Sequence, residues 1–228
     1  MAESMLLGID TCGPSGSVAL GRVTGGLVEI LGQTELAGRS YSATLVTAVG
    51  ELLARHGVAL RELGAIVAVN GPGSFTGVRV GLSAVKGLSE PASIPVAAVS
   101  RLAVLARKAG VASAALDAHR HEVFLRLGRQ GAEPRELLAG EVELAALEPS
   151  PARIAVCDEA AAALLIEAWP GAELIYSAAP TAAGAIDLAM AQIVAKEFVD
   201  VALLDGHYLR RSDAEIFGAP AAAGQQRK

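Results

Sequence analysis

The pattern of apolar and polar positions at the start of the chain predicts three strands. Residues 5–10 form a short apolar run, a turn rich in Gly, Ser and Pro follows, and residues 18–23 resume the apolar run. Two such runs joined by a turn of this composition indicate a β-hairpin. Residues 26–34 are a third strand candidate. We therefore expect the chain to open with three consecutive strands.

A change of period after these strands predicts helices. Between residues 42 and 56 apolar positions recur at helical spacing, and Gly57 follows as a candidate C-cap. The continuous apolar run at residues 65–69 suits a buried central strand. A second helix is expected over residues 78–90 and should be ended by Pro91. The predicted order of this half is β-β-β-α-β-α.

The second half of the chain repeats this order less clearly. Strands are predicted over residues 112–116, 122–127, 153–157 and 174–176, and helices over residues 100–109, 159–169 and 181–196. In both halves an apolar strand runs into an aspartate, Asp10 in the first and Asp117 in the second. The repeated order indicates an α/β protein with a duplicated lobe.

The lobe boundaries are expected to follow this repeat. We place an N-terminal lobe at residues 1–100 and a C-terminal lobe at residues 101–196. Residues 197–218 are expected to follow the C-terminal lobe and are a candidate addition to the N-terminal lobe, as a C-terminal return of the chain. Residues 219–228 should form a flexible tail. The 228 residues, of which 52% are apolar and 19% charged, are enough for two compact lobes.

Two turns could carry chemistry. Three glycines and a proline at residues 71–77 separate the buried strand from the second helix, whose free N–H groups and positive dipole end suit an anion. The spacing is that of neither a Walker loop nor a dinucleotide fingerprint. Asp10 and Thr11 could hold phosphates or a hydrated metal from below. The candidate phosphate contacts are Asp10, Thr11, Gly71, Gly73 and Ser74. Alternatively, both segments only close tight turns.

No catalytic residue and no metal site are predicted. His119 and His121 alternate on what should be one strand face, but two histidines are too few for a zinc site, and we expect them to face solvent. Ser74 and Ser83 have no histidine nearby that could activate them. Two distant cysteines form neither a disulfide framework nor a zinc knuckle.

Charge and hydropathy argue against a nucleic-acid-binding protein, a membrane protein and a secreted protein. The net charge of −5 argues against direct binding of a nucleic-acid backbone, which requires a basic surface. No apolar run reaches the roughly 18 residues of a membrane span. The first ten residues lack the basic region of a signal peptide. A cytoplasmic protein without membrane contacts is expected.

Four segments of the chain have the residues and the order of one known family. They are LLGIDTCGPSGSVAL at residues 6–20, NGPGSFTGVRVGLSAVKGL at residues 70–88, DAHRHEVFLRL at residues 117–127 and HYLRRSDAE at residues 207–215. They resemble the TsaB (YeaZ) family of tRNA threonylcarbamoyladenosine biosynthesis proteins, and the second segment is the most specific. Together the four extend over nearly the whole chain.

This resemblance implies a two-lobe actin/Hsp70-like (ASKHA) fold of duplicated RNase H-like units. It also implies a non-catalytic subunit for threonylcarbamoylation of the adenosine next to the anticodon in tRNA. Such a subunit stabilises the TsaD transferase, helps to dock TsaE and meets tRNA only indirectly. It requires no cofactor, because ATP or ADP and a metal belong to the partner subunits. The metal-binding histidine pair of TsaD has no counterpart at residues 39–45.

The resemblance further implies pairing with TsaD through the first two helices, and a homodimer in isolation. The interface positions carried over by helix register are Leu45, Val49, Leu52, Val80 and Ala84. An ATP-binding or ATP-hydrolysing enzyme of the same superfamily is the alternative. A glycoprotease-type peptidase ranks last, because no nucleophile–base pair or metal site is found in the sequence.

Overall fold

Two five-stranded sheets form the framework of the protein in a computed structural model that describes residues 3–38, 40–129 and 131–210. The predicted tail at residues 219–228, and the part of the predicted return beyond residue 210, lie outside the described residues. Within the described ranges no helix is both long enough and apolar enough to cross a membrane.

The first sheet is built from the first hundred residues. Its strands are β1 (Ser4–Asp10), β2 (Ser15–Thr24), β3 (Leu27–Ala37), β4 (Leu63–Val69) and β5 (Val96–Val99), in the order β3-β2-β1-β4-β5. The helices α1 (Tyr41–Arg55) and α2 (Phe75–Ala92) connect β3 to β4 and β4 to β5. The hairpin β1–β2 is antiparallel, whereas β4 lies parallel to β1. Because helices cover both faces of its centre, β4 is almost continuously apolar and buried.

The second sheet has the same topology. Its strands are β6 (Ala114–Asp117), β7 (Glu122–Leu127), β8 (Arg135–Gly140), β9 (Arg153–Val156) and β10 (Glu173–Tyr176), in the order β8-β7-β6-β9-β10. The helices α4 (Glu141–Ala146) and α5 (Glu159–Ala168) take the places of α1 and α2. The matching strand orders confirm the predicted α/β fold of duplicated units.

The last helix of each repeat packs on the sheet of the other repeat. Helix α3 (Arg101–Ala109) follows the first sheet but packs Leu102 and Leu105 against β6, β7 and β9. Helix α6 (Ala182–Ala195) follows the second sheet, yet its buried face belongs to the core of the first. The predicted boundaries differ here, since they assigned α6 to the second lobe. Gly8 of β1 permits this packing, because a Cβ there would overlap the Ala182 carbonyl.

Several elements differ from those predicted. Helix α2 begins at Phe75 rather than residue 78, because the Ser74 hydroxyl accepts the Gly77 N–H at 3.2 Å and caps the helix. It also continues through Pro91 and ends where Ser93 adopts a left-handed φ of 52°. The fixed φ of Pro91 is helical, so in the last turn it removes one N–H donor without bending the chain away. The prediction omitted β5, β8 and α4.

Candidate functional site: the cleft between the lobes

A cavity of about 1200 Å³ lies between the two lobes. In the first lobe it is lined by the turns that follow β1 and β4. In the second lobe it is lined by the turns that follow β6 and β9, while residues 207–210 form part of its rim. The glycine-rich loop that the sequence singled out therefore faces this cleft, whereas Asp10 and Thr11 are buried behind its lining.

The glycine-rich loop packs on the turn after β1. The Ser74 N–H donates to the Cys12 carbonyl at 2.8 Å, and the Thr11 hydroxyl donates to the Gly77 carbonyl at 2.6 Å. A Cβ on Gly73 would overlap the Cys12 carbonyl oxygen, and one on Gly77 would overlap that of Thr11. These two glycines are thus required by close contact between two backbone segments of the same lobe.

Asp10 is buried beneath these loops. Its carboxylate accepts the Cys12 N–H at 2.8 Å and lies 3.7 Å from Nε of Arg101. Burial raises the pKa of Asp10 above its usual value, against the opposing effects of the Arg101 charge and the Cys12 hydrogen bond. With 1% exposure and a cation beside it, this carboxylate does not fit the role of ligand to a hydrated divalent metal.

The structure brings the five predicted contact positions together. Gly73 and Ser74 contact Cys12, the residue that follows Asp10 and Thr11. The Gly71 carbonyl accepts the N–H of Arg101 at 2.7 Å, and the Arg101 side chain pairs with Asp10. Arg101 itself was absent from the prediction. The apolar pattern of a sequence does not identify a buried arginine. The one signal is that Arg101 directly follows Ser100, which caps helix α3.

The second-lobe wall of the cleft includes an unusual turn. Residues 119–121 all have φ near 60°, and the Asp117 carboxylate accepts the His119 N–H at 2.7 Å. His119 and His121 therefore precede β7 and do not alternate on a strand, which corrects that prediction. Both are exposed, as expected. The described part of the chain contains no cluster of three metal-ligating side chains.

A carboxylate at the edge of the cleft ties three parts of the chain together. Glu136 of β8 accepts hydrogen bonds from the Ser100 hydroxyl and the Arg126 guanidinium, both at 2.7 Å. His207 Nε2 lies 3.0 Å from Oε2 of Glu136, the oxygen that also accepts the Ser100 hydroxyl. Burial alone would raise the pKa of Glu136, but these hydrogen bonds together hold it below its usual value of 4.5. Sequence reasoning missed this network, since its members are far apart along the chain.

An aromatic pair lies at the rim. The rings of Phe75 and Tyr208 are 5.2 Å apart, and the Arg79 guanidinium lies 3.8 Å from the centre of the Phe75 ring. The His207 N–H donates to the Asn70 carbonyl at 2.7 Å. These contacts hold residues 207–208 against the start of α2.

The outer face of α1 and α2 differs from the one predicted. Leu45, Val49 and Leu52 are almost completely buried in the core of their own lobe, so they are not available to a partner. Val46 is a large apolar side chain that α1 does expose, at 60%. On α2, Val80 and Ala84 are half-buried, so they stay candidates for a contact surface.

Comparisons with known proteins agree with these features. The family model described as TsaD, tRNA N6-adenosine threonylcarbamoyltransferase, matches residues 30–145. The tRNA threonylcarbamoyladenosine biosynthesis protein TsaB of Haemophilus influenzae is 36% identical over 130 residues, which is 54% of this chain and 53% of that protein. TsaB of Escherichia coli is 36% identical over 125 residues, 52% of each chain. These alignments span about half the length of the curated relatives.

Similarity to a solved structure extends further. YeaZ from Pseudomonas aeruginosa superimposes with a TM-score of 0.72 at 30% identity, covering 90% of this chain and 100% of that chain. The match therefore includes residues of both lobes. Together with the family model and the TsaB sequences, it confirms the resemblance carried by the four sequence segments. The chain belongs to the TsaB (YeaZ) family.

Proposed function

We propose that this chain is a non-catalytic subunit in the biosynthesis of threonylcarbamoyladenosine in tRNA. In this role it stabilises the TsaD transferase and helps to dock TsaE, and it works in the cytoplasm. The observation that carries the proposal is family membership, because the TsaB relatives are named for this pathway. The net charge of −5 supports an indirect encounter with tRNA, through partners.

The arrangement at Asp10 supports a subunit that needs no cofactor of its own. The actin/Hsp70-like fold implies a nucleotide and a metal in the cleft. Here the carboxylate that would meet the metal is buried against Arg101, and the glycine-rich loop contacts the backbone of Thr11 and Cys12. ATP or ADP and the metal are accordingly assigned to the partner subunits.

The outer face of α1 and α2 is the proposed contact surface for TsaD. The two helices pack beside one another, so their outer faces are continuous. The exposed or half-exposed small and apolar residues of this surface are Ala43, Val46, Gly50, Ala54, Val80, Ala84 and Gly87. Small side chains allow the helices of another subunit to approach closely. The same surface would support a homodimer when TsaD is absent.

Substitution of Val46 by arginine tests this surface. We expect Val46→Arg to weaken co-purification with the TsaD of the same organism at least about tenfold, because a charge would be desolvated in the interface. Because the valine is 60% exposed in the isolated chain, the variant should fold normally. The measurement is recovery of tagged TsaD at matched concentrations, followed by recovery of TsaE on the resulting complex.

Val142→Arg is the matched control. Val142 is 77% exposed on α4 of the second lobe, so the same change there should leave TsaD binding unaltered. If the wild-type chain never binds TsaD, the subunit proposal fails, and nucleotide turnover by the isolated chain becomes the leading alternative. If Val46→Arg and Val142→Arg bind TsaD equally well, the pairing surface is located elsewhere.

A further inference from the structure

Arg101 has a hydrogen-bonding capacity that the described protein does not use. The residue is 6% exposed, and its Nε atom is buried without a hydrogen-bond partner. Its ion pair with Asp10 spans 3.7 Å, beyond hydrogen-bond distance. A buried guanidinium normally makes several hydrogen bonds, because leaving its donors unpaired away from water is costly. The side chain nevertheless lines the cavity between the lobes.

The position of Arg101 places its charge where both lobes meet. It is the first residue of α3, and its Nη2 atom approaches the Gly13 backbone closely enough that a Cβ on Gly13 would overlap it. From the second lobe, Cys157 also lines the cleft. Burial raises the pKa of the Cys157 thiol, and the positive charge of Arg101 acts in the opposite direction. The charge of Arg101 therefore acts on groups in both lobes.

Part of the wall of the cavity is apolar, although charged side chains such as Asp117 and Asp158 also line it. Tyr41, Leu116 and Phe124 line its walls, and the aromatic pair of Phe75 and Tyr208 stands at its rim. The Tyr41 hydroxyl donates to the Gly13 carbonyl at 2.8 Å, so it is already engaged. A ligand that fits this shape carries one anionic group for the arginine and an apolar or aromatic body.

We propose that the cleft binds a small organic anion whose carboxylate or phosphate group pairs with the guanidinium of Arg101 while its apolar body lies between the lobes. Planar guanidinium groups pair with both anions in a two-pronged geometry. The volume of about 1200 Å³ exceeds what such a molecule needs. This site goes beyond the proposed role as a subunit, which requires no ligand. It also differs from a metal–nucleotide site, since the guanidinium of Arg101, and not a metal ion, provides the positive charge.

Three probes with similar bodies separate the contributions of charge and shape. Benzoate and phenyl phosphate carry the two candidate anions, and benzyl alcohol is the uncharged comparison. Dissociation constants for the full-length chain would be measured by calorimetry, with probe concentrations up to about 10 mM. We expect at least one anion to bind about tenfold or more tightly than benzyl alcohol. The tighter of the two identifies the preferred anionic group.

Substitutions on α3 test the role of the arginine. Arg101→Met should abolish anion binding, and Arg101→Lys should weaken it about tenfold because a lysine lacks the planar fork. Arg107→Met is the matched control, because Arg107 is exposed on the same helix and pairs with Asp187 at 3.1 Å. Should Arg101→Met fail to fold, Arg101→Lys and the wild-type comparison decide the question.

Two results would overturn the proposal. One is that neither anion binds the wild-type chain more tightly than benzyl alcohol does, which includes the absence of any binding. The other is that a folded Arg101 variant binds the preferred anion as tightly as Arg107→Met does. Neither result bears on TsaD binding, which is measured separately and depends on a different surface.

Discussion

Gly77→Ala is expected to lower the free energy of unfolding by about 2–4 kcal/mol, although alanine is the better helix former. Gly77 lies in the first turn of α2, where an added Cβ would overlap the carbonyl oxygen of Thr11. That oxygen is part of the backbone after β1 and cannot rotate away. Relief would require moving the turn, which the Thr11 hydroxyl ties to the Gly77 carbonyl. Chemical denaturation measured by circular dichroism gives the free energy directly.

Gly87→Ala in the same helix is the control. Nothing lies within 4 Å of a Cβ placed at Gly87, so the only effect should be the helix preference of alanine. This variant should be more stable than wild type by about 0.5–1 kcal/mol. The test is whether the free energy of unfolding falls in Gly77→Ala and rises in Gly87→Ala. A Gly77→Ala chain that is as stable as Gly87→Ala would contradict the packing of α2 on the turn after β1.

Glu136→Gln is expected to cost about 3 kcal/mol of stability at neutral pH. The carboxylate side chain is 7% exposed and accepts charge-assisted hydrogen bonds, so a neutral amide would leave the half-buried Arg126 without its counter-charge. The amide would also present N–H donors toward the groups that now donate to the carboxylate. Urea denaturation of both proteins at pH 7 provides the measurement.

The pH dependence of this loss is a second signature. Because the pKa of Glu136 is lowered on folding, its stabilising effect is fully present above the usual value of 4.5 and is lost as pH falls through the lower folded-state value. The gap between wild type and Glu136→Gln should therefore close below pH 4.5. Glu173→Gln serves as the control, since its pair with Arg153 is exposed and should contribute less than about 1 kcal/mol. A pH-independent gap would argue against the network.

Local patterns in the sequence were sufficient for most elements of the first lobe. The hairpin, the helix after β3 and the buried strand β4 have clear periods, and turn residues separate them. Strand β5 was missed because it has four residues and follows α2 after a short turn. Strand β8 and helix α4 were missed because Gly140 ends one and caps the other, which leaves no loop between the two periods.

Contacts between distant segments were beyond the reach of the same patterns. The apolar stripe of α1 reports on the core of its own lobe, so Leu45 and Leu52 were natural but unsuitable choices for a partner surface. Val46 stands outside that stripe. The arrangement at Arg101 likewise depends on three turns that meet only in the folded chain. Residues of a lobe's core can be identified from the apolar periodicity of the sequence. Residues of a site that joins distant segments can be identified only when the fold is known.

The exchange of α3 and α6 between the sheets has a consequence for how the chain can be divided. A fragment ending near residue 100 would lack α6, whose buried side chains complete the first core. The remaining fragment would carry α6 with its apolar face unmatched. We therefore expect neither half to be stable alone, and the two, produced separately, to reassemble when mixed. Because α6 completes the first core only after the second sheet has been formed along the chain, the duplicated protein should unfold as one cooperative unit.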